Sequence, residues 1–214
     1  MTTPSSPSSP SSPSSLLAQP PERIPVLLRP GLFVAQKMTG KDPLPARLLA
    51  HFPKGAVGAG IFEACAASGA DLDGDGDHHD GARILAVVRI VSSAVGRCPF
   101  CIDMNAATWQ RTGLSAEGLA GLLRLDDDVI AGLDSRTATA ARYAVALTKT
   151  PTVVDDDLAG AMRRQFSARE IVVLACTIAQ VGFWSRFNQG LGVPAAGFFD
   201  ESVCALPTSS RPES

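Results

Sequence analysis

The chain has 214 residues, 45% of them hydrophobic and 19% charged, enough apolar material for a core of its own, with a single domain the simplest count. A formal net charge of -2 leaves no surplus of Lys and Arg for phosphates or an anionic bilayer surface, which argues against nucleic-acid and membrane partners. Five cysteines are too few for a disulfide-built secreted scaffold, the N-terminus lacks the basic and apolar regions of a secretory signal, and the most apolar run, Ile171–Trp184, is interrupted by Thr177 and Gln180. The run is also shorter than the roughly 18–20 residues that span a bilayer. A soluble, cytoplasmic protein is expected.

Residues 1–20 repeat Ser-Ser-Pro with period three, so a disordered or polyproline-type tail is expected over about 1–22. The folded domain is expected over 23–203, with folding under way near Arg29, and a flexible tail over 204–214. A short helix lies between Pro43 and Pro53, and Gly55–Ala70 is Ala-rich and reads as a second. Asp71–Gly81 is a polar loop. Ala82–Gly96 is apolar almost throughout, and 15 residues is long for a strand, which favours a buried helix. Cys98–Thr112 reads as one helix stopped by Gly113. Ser115 caps a short helix to Leu123, Asp134 or Ser135 caps the Ala-rich run before Pro151, and Asp155 starts another. Ser167 and Glu170 form a capping box that opens a long helix to about Leu191. No alternating strand pattern competes, so the fold class is all-α.

Cys98-Pro99-Phe100-Cys101 is the sharpest chemical feature. With Cys98 as N-cap and Pro99 as first helical residue, the two cysteines share one helical face. Side chains three apart have Cβ atoms about 5–6 Å apart, and a disulfide needs about 3.5–4.5 Å, so a small adjustment closes the bond. Unpaired amides at the helix start stabilise a thiolate. A redox-active dithiol follows. A zinc half-site is the alternative, but no second Cys-x-x-Cys exists, and Cys65, Cys176 and Cys204 stand singly on apolar stretches that suggest core packing. His78 and His79 would reach a metal only if the acidic loop folded back. Neither a metal nor another cofactor is therefore expected. Asp71, Asp73, Asp75 and Gly76 copy the start of a calcium loop, but Ala82 stands where the bidentate Glu belongs. Trp109, Trp184, Phe183 and Phe187 read as core or as an oligomer contact.

Cys-Pro-Phe-Cys with Thr150-Pro151 resembles the glutaredoxin and thioredoxin pattern only superficially, since an Asp-rich helix start follows where hairpin strands should be. The segment ILAVVRIVSSAVGRCPFCIDMNAATWQRTGLSAEGLAGL, continued through ARYAVALTK and the long helix to Arg186-Phe187-Asn188, resembles the carboxymuconolactone decarboxylase-like, alkylhydroperoxidase D-like family over about residues 82–193. The resemblance implies an all-α homo-oligomer, a trimer or hexamer. It also implies peroxide or disulfide reduction by the cysteine pair, with an external dithiol as electron donor. Catalytic candidates are Cys98, Cys101 and Asn105. Asn105 stands where the family's dithiol members place a His, and an amide does not exchange protons near neutral pH. The helix before the motif also lacks the family's acidic residue, which leaves His51 and Glu63, on earlier helices, as candidates for a rebuilt proton relay. A helix-cap argument favours Cys98 as the exposed nucleophile, and the family's His favours Cys101. A catalytically silent oligomer serving as a binding or assembly module is the alternative function, with a decarboxylase third.

Overall fold

Prolines in the first turn open several helices of this computed structural model, which describes residues 16–73 and 80–200. Pro30 opens α1 (Arg29–Thr39), and Gly40, at φ 66°, closes it in the left-handed conformation that glycine adopts without strain. Two short helices follow, α2 (Leu44–Leu49) and α3 (Pro53–Ala64), each with a proline in its first turn. The one-turn helix α4 (Ala70–Asp73) stands where a loop was expected. Helix α5 (Gly81–Val95) confirms the expected buried helix.

The single helix expected over Cys98–Thr112 is divided. Helix α6 (Pro99–Ala106) ends early, and a separate 3-10 turn (Trp109–Thr112) leads to Gly113 at φ 70°. Thr108 donates its hydroxyl to the Asn105 carbonyl at 3.2 Å in the link between them. Ser115 caps α7 (Ala116–Leu123), and Asp126 caps α8 (Asp127–Ala131), a helix too short to show a period in the sequence. Asp134, Asp155 and Ser167 cap α9 (Ser135–Thr148), α10 (Asp156–Gln165) and α11 (Ala168–Leu191), the last through the expected capping box. No strand occurs among the described residues, and the Thr150–Pro151 peptide, though cis, joins helices.

Helix α5 is the axis of the core. Ile84, Val87, Val88 and Val91 are sealed from solvent, each burial contributing about 1.5–3 kcal/mol against an exposed side chain. The small residues Ala140, Ala141 and Ala144 let α9 approach α5 closely, and α11 closes the other side with Leu174 and Ile178. Helix α11 has 24 residues and is apolar enough by composition to cross a bilayer, but its buried stripe includes the polar groups Thr177, Gln180, Ser185 and Asn188 within the protein. A buried guanidinium ties the layers together. Arg136, on α9, pairs with Asp80 at 2.6 Å and with Glu170, donates to the Leu72 and Gln165 carbonyls, and lies 4.7 Å from the centre of the Phe166 ring.

A second, smaller apolar cluster surrounds the cysteine motif. Leu48, Cys98, Phe100, Cys101 and Val193 form it, with Trp184 and Phe187 against its edge. Leu16 and Ala18 also pack there, and the Leu17 amide donates to the Leu191 carbonyl at 3.1 Å. Residues 16–22 of the segment 1–22 are thus part of the described structure. The repeats before it, and Cys204 in the C-terminal segment, lie outside the described residues.

Candidate active site

The turn from α5 into α6 sets the geometry. Arg97 takes φ 50°, a left-handed conformation that costs a non-glycine residue about 1–2 kcal/mol. Gly96 precedes it, and a Cβ there would sit 2.9 Å from Ser185 Oγ, so glycine is what lets α11 come this close. Cys98 is then the N-cap of α6, and its sulfur accepts from the Cys101 amide at 3.2 Å. Cys98 and Cys101 are joined as a disulfide, their Cα atoms 5.2 Å apart.

Both sulfurs belong to buried residues, so the exposed Cys98 of the helix-cap argument is not found. Access is on the Cys101 side, which forms part of the wall of a cleft of about 230 Å³. Met104 and Asn105 from α6, Arg89 from α5, Gln180, Val181 and Trp184 from α11, and Glu63 and Ala66 from the α3 end complete that cleft. Two donors from α11 approach the same sulfur, Ser185 Oγ at 3.6 Å and Asn188 Nδ2 at 3.7 Å. Hydrogen bonds of this kind favour a thiolate over a thiol.

Asn105 is brought to the cleft, but its Nδ2 donates to Ser93 Oγ and to the Cys101 carbonyl, both at 2.9 Å. The amide that reaches sulfur is that of Asn188. Glu63 is also brought there, which no spacing in the sequence indicated. His51 is exposed and contacts the Gln19 carbonyl through Nε2 at 2.8 Å, away from the residues that line the cleft. Burial holds the Arg89 guanidinium below its usual pKa, and the Glu63 carboxylate opposes that shift. Arg89 is anchored to the Ala67 carbonyl at 2.8 Å.

Asp103 supports the motif from behind. Its two carboxylate oxygens accept the Ala196 and Phe199 amides, each at 2.7 Å, and pin the C-terminal segment across α6. Phe198 then meets Phe100 edge to face at 5.9 Å. Trp184, Phe183 and Phe187 contact one another, with Phe183 exposed at the surface, while Trp109 packs on the main core.

One expectation outside the motif is corrected. Cys65 and Cys176 are exposed free cysteines on the walls of a neighbouring cleft, not core residues, because α3 lies on α11 without closing over it. Asp71 and Asp73 spend their carboxylates on the structure itself. Asp71 accepts from Ser68 and Arg169, and Asp73 accepts the Gly81 amide. The remainder of the calcium-like loop, Asp75 and Gly76, and the pair His78 and His79, lie outside the described residues.

No protein-family model matches the chain. The uncharacterized protein YnjA of Escherichia coli (strain K12) is 26% identical over 190 residues, covering 88% of this chain and 96% of its own. Among solved structures, the debrominase Bmp8, as a C82A variant in complex with 2,3,4-tribromopyrrole, superimposes with a TM-score of 0.64 at 17% identity, covering 84% of this chain and 91% of Bmp8. An uncharacterized peroxidase-related protein from Silicibacter sp. TM1040 gives 0.64 at 14% identity over 86% of this chain and 92% of its own. An alkylhydroperoxidase AhpD core protein from Ralstonia eutropha JMP134 gives 0.63 at 17% identity over 85% and 89%. The eleven helices of the described residues, arranged around α5 and the α6 dithiol, are therefore an alkylhydroperoxidase D-like fold.

Proposed function

We propose that the protein is a thiol-dependent peroxidase or disulfide reductase whose working group is the Cys98/Cys101 pair. The observation that carries this reading is a closed Cys98–Cys101 bond at the start of α6 with Cys101 in the wall of a cleft. A reduced pair holds two electrons. Cys101 attacks a peroxide oxygen or a disulfide sulfur, and Cys98 resolves the sulfenic acid or mixed disulfide by forming the intramolecular bond. An external dithiol then reopens it. Ser185 and Asn188 stabilise the Cys101 thiolate, and Asn188 Oδ1, buried without a hydrogen-bond partner, offers an acceptor to a thiol proton. The molecule works as a homo-oligomer in a reducing, cytoplasmic setting. Exposed Ile61 and Phe62 on α3 and Val172 and Phe183 on α11 support the oligomer.

Counting reactive thiols before and after hydroperoxide tests the reading. Wild type is expected to lose both motif thiols, and Cys98→Ser and Cys101→Ser are each expected to abolish disulfide formation. Thiols unchanged at high peroxide would favour the catalytically silent oligomer. A second reading is reductive removal of halogen from an aromatic ring by the same dithiol. It draws on the likeness to the debrominase and on Trp184 in the cleft wall, and bromide release from 2,3,4-tribromopyrrole tests it.

A further inference from the structure

Peroxide reduction by a thiol needs a group that takes the proton from the attacking sulfur and returns one to the departing oxygen. Asn105 cannot do this, because its side chain is an amide and its Nδ2 is committed to Ser93 and the Cys101 carbonyl. Helix α5 lends the cleft Arg89 and no carboxylate. One carboxylate does line the cleft, that of Glu63, and it comes from α3. Its Oε1 accepts from Trp184 Nε1 and from Gln180 Nε2, the latter at 3.0 Å. Both donors stand on α11, the helix that also presses Ser185 and Asn188 against Cys101. Oε2 takes no hydrogen bond from any described residue, and Glu63 is exposed on its outer side, where protons exchange with solvent.

We propose that Glu63 is the proton-transferring residue of the Cys98/Cys101 centre, delivered by α3 rather than by the redox helix or the one before it. The inference rests on the dithiol reading. A small hydroperoxide, ROOH, enters the cleft that Glu63 and Cys101 both line. The Glu63 carboxylate takes the Cys101 thiol proton. The thiolate then attacks the terminal peroxide oxygen, an S–O bond forms, the O–O bond breaks, and the departing alkoxide takes the proton back from Glu63 as ROH. Cys98 sulfur next displaces hydroxide from the Cys101 sulfenic acid, which leaves as water with the Cys98 proton. Two thiols and ROOH become one disulfide, ROH and water.

The charged or titratable groups around Glu63 are Arg89 from α5 and Cys101 from α6, while α11 presents the non-titrating Gln180 and Trp184. Asp71, Cys65 and Cys176 line the adjoining cleft, which shares Ala66 and Gln180.

Glu63→Gln keeps the side-chain shape and the acceptor for Trp184, and removes proton exchange. With an organic hydroperoxide and dithiothreitol, turnover is expected to fall about 100-fold. The acidic limb of the pH–rate profile is expected to vanish, while Glu63→Asp keeps the limb. Wild-type turnover with an unchanged pH profile in Glu63→Gln would overturn the assignment to Glu63 alone. Wild-type protein that loses no thiols to hydroperoxide would overturn the dithiol reading, and this inference with it.

Discussion

Asp103 shows how much a single side chain near the motif does without taking part in thiol chemistry. Its carboxylate satisfies the half-buried Ala196 amide and the buried Phe199 amide, and the segment it holds packs Phe198 on Phe100 in the cluster around the Cys98–Cys101 bond. In Asp103→Asn an NH2 group faces one of those amides, and a buried donor left without an acceptor costs about 1–3 kcal/mol. Urea unfolding is expected to show that loss, and dithiothreitol is expected to reduce the disulfide faster than in wild type. Equal reduction rates would show that the segment does not cover the sulfurs. The cysteine pair itself was legible from Cys98-Pro99-Phe100-Cys101, because a proline at the first helical position and a three-residue spacing are local facts. Ser185, Asn188 and Glu63 were not legible as cysteine neighbours, because folding alone brings α3 and α11 to α6. Polar residues on an otherwise buried stripe of α11 were the one signal available.

Arg136 organises the elements around the main core. It joins α9 to the residues before α5 through Asp80 and to the first turn of α11 through Glu170, whose other oxygen completes the capping box with the Ser167 amide. Arg136→Ala leaves two partly buried carboxylates without their cation, a loss of about 3 kcal/mol. A lower urea midpoint at unchanged slope is the expected result, and an unchanged midpoint would show that solvent compensates the carboxylates. The long, strongly punctuated helices α5, α9, α10 and α11 were readable from the sequence, since capping residues and proline stops act locally. Others were not. Helix α8 is a single cap with one turn behind it, and the break between α6 and the 3-10 turn at Trp109–Thr112 leaves no mark in the hydrophobic periodicity. Helix α1, opened by Pro30 and closed by Gly40, was not assigned from the sequence.

At the scale of the whole molecule, the main core and the cluster that holds Cys98 and Cys101 are two separate groups of buried apolar side chains. The apolar residues left exposed on α3 and α11 predict self-association, with sedimentation giving a trimer or larger species at micromolar concentration and a stable monomer contradicting it. The same faces flank the clefts at Glu63 and Cys65. The central claim is that Cys98 and Cys101 cycle between dithiol and disulfide at the expense of an oxidant from solution. The most direct measurement mixes the reduced protein with an organic hydroperoxide and follows both the alcohol formed and the mass of the peptide containing the motif. One alcohol per chain is expected, with the peptide lighter by two hydrogens and dithiothreitol restoring both for a further round. A reduced motif that survives millimolar hydroperoxide unaltered would contradict the account.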